Sequence, residues 1–396
     1  MRDFATPHRR LRRFTEEDDE SADTILISVI VALLLIGTVL VATASVSIGQ
    51  KEYQQPFWYV TRHAIYLLVG LVLSMIIMRV HSSVWYNKGP VLLLMAIVLL
   101  ALVWMPGLGY KANGSSRWIT FGAFNIQPSE IAKLCVLIYL SGYLLRHNED
   151  TRETLAGFVR PLGVIMLVCA LLLSEPDLGT TVILFVTCMV VMFLAGARLT
   201  VFGSMFGLIA AVFILIAIFT PYMLDRLLLF WDPWKDPTNK GYQLTNSLMA
   251  FGVGGLFGTG LGSSMQKLFY LPEPHTDFVF AILGEELGLL GALTVIALFA
   301  ILVWRAYRIA ACALEKQMYF EAYLAYGIGT LIGLQAFINM GVNMGLLPTK
   351  GLTLPLMSYG GSSLVMTMLS LAMLLRIDYD VRNDEEHRAP RRRKKR

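Results

Sequence analysis

The first apolar segment of the chain, residues 24–48, reads TILISVIVALLLIGTVLVATASVSI and contains no charged side chain. A helix needs about 20 mostly apolar residues to cross about 30 Å of hydrocarbon, so this segment is long enough to span a bilayer. The composition of the whole chain agrees, because 56% of its 396 residues are hydrophobic and only 15% are charged. A water-soluble globular fold is not expected from such a sequence.

Charge-free segments of similar character recur along the chain, separated by charges and by proline or glycine turn signals. They predict an all-α, polytopic integral membrane protein with about ten transmembrane helices. The even count places both termini on the same side of the membrane. The predicted spans are residues 24–48, 58–78, 90–105, 128–145, 161–174, 179–197, 200–220, 278–304, 318–340 and 356–375.

The predicted organisation is an N-terminal tail (1–23), a membrane domain (24–377) and a basic C-terminal tail (378–396). Lys and Arg are enriched on the cytoplasmic side of membrane proteins, and both tails are rich in them, so both termini are expected in the cytoplasm. The first span is longer than the apolar core of a secretory signal, about 7 to 15 residues, and is interpreted as a permanent span. The terminal cations 391–396 are interpreted as an anchor to anionic lipid, with a docking site for a cytoplasmic partner as the alternative. No nucleic-acid-binding module is recognised.

A long loop, residues 221–275, joins the seventh and eighth predicted spans and is expected on the extracytoplasmic side. Its charge-free part, 241–266, contains seven glycines and several polar side chains. That composition favours an interfacial or re-entrant segment over an eleventh span. Counting it as a span would also turn the basic C-terminal tail outward, against the charge rule.

Cysteine and histidine provide little further chemistry in this sequence. The four cysteines fall in or beside predicted spans, so no disulfide framework is expected. No two histidines have the spacing of zinc ligands, and no structural metal is expected. A divalent cation held by carboxylates stays open, because the sequence shows no loop of defined ligand spacing.

Ionisable side chains at membrane depth are costly and need partners, so those at the outer ends of spans are the candidate functional residues. Arg117 precedes the fourth span, which begins near Pro128. Glu130 and Lys133 are three residues apart on that helix and can pair on one face. A local ion pair that offsets its own burial is the simpler interpretation of this pair, and the wall of a site is the alternative.

Two carboxylates, Glu175 and Asp177, flank Pro176 between the fifth and sixth spans. An acidic group near a helix N-terminus is favourable as a cap, which is a sufficient structural account of Asp177. Glu175 is harder to explain by capping, so a site role and a structural role both stay open for this pair.

The long outer loop contributes Gln243 at the start of its glycine-rich part and Lys267 at the end. Glycines let a backbone approach a ligand closely, but they occur here without the strand-to-helix context of a phosphate loop. The nucleotide-site interpretation is therefore weak. A flexible segment on the bilayer surface is the preferred one.

His275 and Asp277 immediately precede the eighth span. Either Thr276 or Asp277 is suited to cap that helix, and capping is the common explanation for an aspartate there. The alternative is a general base, because a carboxylate between an imidazole and an apolar span has an environment that shifts proton affinity.

Lys350 and Ser358 lie in the last outer segment, residues 347–363. The glycines and serines of this segment are accounted for by close helix packing. Lys350 is not, and a cation on the outer side is suited to an anionic lipid head group.

These outer segments, in this order and on this framework of spans, resemble the SEDS (shape, elongation, division and sporulation) family of peptidoglycan glycosyltransferases. The resemblance covers essentially residues 24–379 and is most specific at 241–243, 270–278 and 347–363. Residues 284–288 (GEELG), 348–351 (PTKG) and 374–379 (LLRIDY) are similar to the cell-division branch of the family rather than the elongation branch.

The resemblance implies that lipid II, an undecaprenyl-diphosphate-linked disaccharide pentapeptide, is polymerised into glycan strands at the outer face of the bacterial cytoplasmic membrane, at the division septum. It implies Asp277 as the catalytic carboxylate and a class B penicillin-binding protein, the septal transpeptidase, as a partner alongside other division proteins. The candidate substrate-binding residues are Arg117, Glu130, Lys133, Glu175, Asp177, Gln243, Lys267, His275, Lys350 and Ser358.

Two other classes of function remain open at the level of sequence. A flippase that carries lipid II across the membrane would also contain many spans with intramembrane charges. Transporters, however, tend to place charges near the bilayer midplane and to show repeat symmetry, whereas these candidates cluster at one face. A scaffold for division proteins is a role that the tails and lateral helix faces are suited to serve in addition to catalysis.

Overall fold

The computed structural model describes most of the chain, and the statements below concern that part alone. The described residues are 23–105, 109–112, 115–121, 124–197, 202–204, 206–207, 211, 214, 230–239 and 241–393.

Helices dominate the described residues, and long ones alternate with short connections. Their bounds are α1 (Thr24–Tyr53), α2 (Trp58–Arg79), α3 (Ser82–Leu102), α4 (Pro128–Arg146), α5 (Asn148–Glu153), α6 (Leu155–Ser174), α7 (Leu178–Leu194), α8 (Tyr242–Gly254), α9 (Val279–Glu315), α10 (Tyr319–Asn343) and α11 (Gly361–Arg393). Seven of these described helices, α1, α2, α3, α4, α6, α9 and α10, are long and apolar enough to cross a membrane. The prediction of a polytopic helical membrane protein is therefore confirmed.

The predicted spans coincide closely with these helices. Nine of them fall on α1, α2, α3, α4, α6, α7, α9, α10 and α11. The seventh predicted span, 200–220, lies almost entirely outside the described residues.

Two helix starts that were placed at prolines are wrong. Helix α3 begins at Ser82, where the side chain of His81 accepts from the Ser83 amide, and it continues through Pro90. Helix α6 begins at Leu155 and continues through Pro161. A proline is tolerated inside a membrane helix because neighbouring helices compensate for the lost hydrogen bond, so a capping side chain marks the start better.

A small antiparallel sheet lies between α3 and α4, in the connection that contains Arg117. Its strands are β1 (Gly109–Ala112), β2 (Ser115–Phe121) and β3 (Phe124–Ile126), in the order β1-β2-β3. Tyr110 pairs with Trp118, and Thr120 pairs with Asn125. The sheet holds Arg117 in a fixed strand just before α4.

Helix α9 is broken near its N-terminal end, and the glycine-rich segment after α8 fills the break. Gly288 has φ of 65° and ψ of −163°, values that favour glycine. The amide of Leu289 donates to the Gly255 carbonyl over 2.9 Å, and the amide of Thr259 donates to the Glu285 carbonyl over 3.0 Å. These bonds satisfy backbone groups that the break leaves without helical partners.

The same contacts explain why residues 241–266 do not form a spanning helix. Helix α8 contains only 13 residues and ends at Gly254. The chain then turns through Gly258, Gly260 and Gly262, all of which have positive φ. The interpretation of this segment as something other than a further span is confirmed.

Helices α4 and α10 lie at the centre of the bundle, whereas α2 is mostly exposed along its apolar length. Helix α10 packs against α4, α7, α8 and α9. Its polar side chains Gln335, Asn339 and Asn343 are all buried and are spaced four residues apart, so they share one face. This face is directed to the segments that precede α9 and α11, described below.

Substitution of Gly288 by alanine is expected to destabilise the fold by about 1–3 kcal/mol, because a side chain is strained at positive φ. The added methyl group would also lie 2.4 Å from the Gly258 nitrogen. The matched control is Gly252→Ala, since a Cβ at this helical glycine meets no heavy atom within 4 Å. Thermal unfolding in detergent checks the prediction, and equal melting temperatures for the two variants would contradict it.

Candidate functional site

Asp277 lies in the connection just before α9 and is fixed through its main chain. Its carbonyl oxygen accepts hydrogen bonds from the side-chain amides of Asn339, over 2.9 Å, and Asn343, over 3.0 Å. Helix α9 has Phe278 at its N-cap position and no capping side-chain hydrogen bond. The side chain of Asp277 therefore does not cap α9. The hydroxyl of Thr276, the other predicted cap, donates to Glu273 instead.

The carboxylate of Asp277 faces the segment between α10 and α11. A Cβ at Gly351 would lie 2.7 Å from Asp277 Oδ2, so only glycine fits there without a shift. Lys350 precedes this glycine in the chain and is half-buried. The fold thus brings a candidate carboxylate and a candidate cation into adjacent positions.

The asparagines that hold Asp277 were missed at the level of sequence. Asn339 also donates to the Leu352 carbonyl, and the side-chain oxygen of Asn343 accepts from the Ala281 amide over 3.1 Å. The available signal was the i, i+4, i+8 spacing of Gln335, Asn339 and Asn343 on an otherwise apolar helix.

The ion pair predicted between Glu130 and Lys133 is confirmed, with 2.9 Å between Oε1 and Nζ. Lys133 also donates to Gln335 over 2.8 Å, and Gln335 donates to the Thr353 carbonyl over 3.0 Å. The pair is therefore more than a local neutralisation, because it extends to the segment that carries Lys350.

Arg117 on β2 docks on the connection between α6 and α7. Its Nε donates to the Glu175 carbonyl over 3.1 Å, and its Nη2 donates to the Pro176 carbonyl. Asp177 caps α7 by accepting from the Thr180 amide over 3.2 Å, which confirms its capping role. The two acidic residues of this connection therefore have different environments.

Glu175 is almost completely buried, at 1% relative exposure, and neither oxygen of its carboxyl group has a hydrogen-bond partner among the described residues. Burial is the largest cause that raises the pKa of Glu175, to about 8, and the Asp177 carboxylate acts in the same direction. The Arg117 guanidinium opposes the shift. At neutral pH the side chain is therefore mostly an uncharged acid.

Lys267 has a different environment from the one expected of an available cation. Its Nζ pairs with Glu286 Oε1 over 2.9 Å, and Glu286 is completely buried. Glu285, the neighbouring acid, accepts from the Met265 amide over 2.8 Å and from the Ser264 hydroxyl. These two glutamates attach the loop before Asp277 to α9. Their structural role was missed, because sequence spacing does not indicate a contact across a broken helix.

His275 lies in an aromatic cluster rather than in a simple carboxylate pair. Its ring centroid is 4.6 Å from that of Tyr59 and 5.5 Å from that of Tyr359. Its carbonyl accepts from the Tyr359 amide over 2.8 Å. Burial lowers the pKa of His275 to about 4, so the ring is neutral at physiological pH.

The two remaining candidates are Ser358 and Gln243. The Ser358 hydroxyl accepts from the Leu354 amide over 2.8 Å, which stabilises its own turn. Gln243 lies in the first turn of α8 and is half-buried. A role in substrate binding therefore stays a prediction for both residues.

The segments that carry these candidate residues meet through a continuous set of contacts. Arg117 bonds to the backbone at Glu175, Gly179 packs against Leu352, and Gly351 lies against Asp277. In the described part of the chain, no group of three or more His, Cys, Asp or Glu side chains is placed to hold a metal ion. The site is thus a polar region of carboxyl groups and cations at the ends of membrane helices.

Fold and site together define a polytopic helical membrane protein with a charged site where its helices end. A family model, that of the FtsW/RodA/SpoVE cell cycle proteins, matches residues 23–383. The chain belongs to this family.

Individual relatives agree with that assignment. A probable peptidoglycan glycosyltransferase FtsW of Nitrosococcus halophilus is 50% identical over 360 residues, which are 91% of this chain and 93% of the relative. Its counterpart in Legionella pneumophila is 48% identical over 360 residues, 91% of either chain.

Solved structures share the fold. A chain from a study of how a peptidoglycan synthase complex coordinates polymerization and crosslinking superposes with a TM-score of 0.74 at 27% identity, covering 91% of this chain and 98% of that chain. The rod shape determining protein RodA of Thermus thermophilus gives a TM-score of 0.66 at 25% identity, covering 91% and 97%.

Replacement of Lys267 by methionine is expected to destabilise the protein by about 3–5 kcal/mol, because it leaves Glu286 buried and charged without its partner. The double variant Lys267→Met/Glu286→Gln removes both charges and should regain most of the lost stability. Thermal unfolding in detergent measures both effects.

Lys51→Met is the matched control for that experiment. Lys51 is an exposed cation 4.1 Å above the Phe269 ring, a contact whose loss costs about 0.5–1 kcal/mol. A double variant no more stable than Lys267→Met alone would show that the ion pair is not the reason for the loss.

Proposed function

We propose that this chain polymerises lipid II into glycan strands, with Asp277 as the general base. The FtsW relatives named above are described as probable peptidoglycan glycosyltransferases. This chain is a peptidoglycan glycosyltransferase of the same FtsW/RodA/SpoVE family. The observation that carries the proposal for Asp277 is its fixed main chain together with a carboxylate placed against Gly351, the residue that follows Lys350 in the chain.

The proposed reaction is a direct displacement at the anomeric carbon of the donor sugar. A hydroxyl of the acceptor sugar forms the new C–O bond while the bond from the anomeric carbon to the diphosphate oxygen breaks. The bonding electron pair leaves with the diphosphate, and the hydroxyl proton passes to Asp277. A diphosphate is a good leaving group that needs little protonation, so one carboxylate is chemically sufficient, and the configuration inverts.

The leaving diphosphate requires positive charge where negative charge develops. Arg117 and Lys350 are the proposed cations. Lys267 is not proposed for this role, because it pairs with the buried Glu286. Glu130 and Lys133 would support the segment that carries Lys350 through Gln335 rather than contact the phosphate.

The proposed setting is the outer face of the bacterial cytoplasmic membrane at the division septum, with both termini inside. A class B penicillin-binding protein, which cross-links the glycan, is the proposed partner. The likeness to a chain from a peptidoglycan synthase complex supports such an assembly. The terminal cations, residues 391–396, would hold the cytoplasmic end of α11 at anionic lipid.

Asp277→Asn is expected to lower the rate of glycan polymerisation from purified lipid II by about 10²–10⁴-fold, because an amide cannot accept the proton. Asp232→Asn is the control, since Asp232 is an exposed carboxylate on the same outer loop. Gel analysis of labelled glycan chains measures both variants in detergent. Full activity of Asp277→Asn would remove Asp277 from the catalytic role. In a separate assay on the protein reconstituted in vesicles, lipid transfer between leaflets without polymer would indicate a flippase.

The proposed orientation predicts that the loop before α8, which contains Lys235, and the C-terminal end of α9 lie on opposite sides of the membrane. In a cysteine-free background, a cysteine at Lys235 should react with a membrane-impermeant maleimide added to intact spheroplasts. A cysteine at Glu315 should react only after the membrane is permeabilised. Both positions are exposed, so burial does not protect them. The reverse labelling pattern would overturn the proposed topology and the outer placement of the site.

A further inference from the structure

Glu175 is a buried acid that the proposed reaction leaves without a role. It follows the last turn of α6, its relative exposure is 1%, and neither carboxyl oxygen has a hydrogen-bond partner in the described part of the chain. A buried polar group without a partner is destabilising, so such a group calls for an explanation, and a ligand is one.

The surroundings of Glu175 point to an anionic ligand. Both described hydrogen bonds of the Arg117 guanidinium go to uncharged carbonyl oxygens, at Glu175 and Pro176. The positive charge of Arg117 therefore remains available to an anion. An ionised Glu175 would cancel that charge and repel a phosphate, whereas a neutral Glu175 would do neither.

We propose that Glu175 binds the diphosphate of the lipid-linked substrate as an uncharged carboxylic acid, donating a hydrogen bond to a phosphate oxygen beside Arg117. This inference rests on the proposed function and names a further binding residue for it. No bond is formed or broken at Glu175, and its proton stays on the carboxyl group when the ligand dissociates.

The groups around Glu175 are consistent with that assignment. Asp177, on the same connection, is engaged in capping α7 through Thr180, and its negative charge disfavours a second charge nearby. Arg117 faces Glu175 from β2. Lys350 belongs to the segment whose Leu352 packs on Gly179, at the start of α7.

The sign of the expected pH dependence follows from these environments. Burial raises the pKa of Glu175 to about 8, so the acid is protonated below that pH and ionises above it. Affinity for a diphosphate should therefore fall as the pH rises through about 8 in the wild type. Glutamine has nearly the same shape, keeps a hydrogen-bond donor and does not ionise, so Glu175→Gln should lack this fall.

The test measures the binding of undecaprenyl diphosphate to the full-length protein in nanodiscs between about pH 7 and pH 9.5. Between these two pH values the affinity of the wild type should fall by a factor about tenfold or more larger than that of Glu175→Gln. The reason is that a group of pKa near 8 is almost fully ionised at about pH 9.5, the upper limit of this range. Ionisation of the ligand affects both proteins equally and cancels. Asp232→Asn, the exposed control, should follow the wild type.

Glu175→Ala separates a binding role from a structural one. It should bind undecaprenyl diphosphate about tenfold more weakly than wild type at pH 7 and should show no fall near pH 8. Equal pH dependence of the wild type and Glu175→Gln, or unchanged affinity in Glu175→Ala, would overturn the proposal.

If a Glu175 variant does not fold, the proposal can still be tested on the wild-type protein. Difference infrared spectroscopy should show the C=O stretch of a protonated carboxylic acid that shifts when undecaprenyl diphosphate binds at pH 7. Absence of any such shift would overturn the proposal. Asp277→Asn should bind undecaprenyl diphosphate with the wild-type pH dependence although it polymerises lipid II far more slowly, so failure of this inference and failure of the proposed function are distinguishable.

Discussion

The carbonyl oxygen of Asp277 and the two asparagine amides that bind it are the contact on which the arrangement of the site depends. Asn339 and Asn343 are buried at 1% and 0% relative exposure, and loss of either amide would leave a buried acceptor less well satisfied. Asn339 also holds the Leu352 carbonyl, and Gln335 holds that of Thr353. One face of α10 therefore positions both segments of the site, which explains why a helix without a candidate catalytic residue lies at its centre.

Burial of charge imposes a second constraint. Lys133 pairs with Glu130, Lys267 with Glu286, and Arg305 with Asp23 at the opposite end of α9, at distances of 2.6–2.9 Å. A buried charge without its partner costs several kcal/mol, so these pairs are needed to maintain the fold and their cations are not available to a ligand. Arg117, bonded only to carbonyl oxygens in the described contacts, and the uncharged Glu175 differ from this pattern. That difference is the physical basis for assigning them to the anionic part of the substrate.

Local patterns in the sequence predicted a large part of this structure. Charge-free runs located the helices, the spacing of Glu130 and Lys133 predicted their ion pair, and the position of Asp177 predicted its cap. The errors have local causes as well. Pro90 and Pro161 were treated as helix starts, although a membrane helix tolerates an internal proline.

The sequence by itself determined the class of protein, the approximate spans and the segments between them that carry the polar residues, because hydrocarbon thickness and helical periodicity act over short stretches of chain. Only the tertiary structure decided which of those polar residues meet. Arg117 contacts Glu175 across 58 residues of sequence, and Asn339 contacts Asp277 across 62. Lys267 was removed from the available cations by its ion pair with Glu286, which lies two residues before the break of α9 at Gly288. Such pairings depend on how helices pack and where they break, which local sequence spacing does not encode.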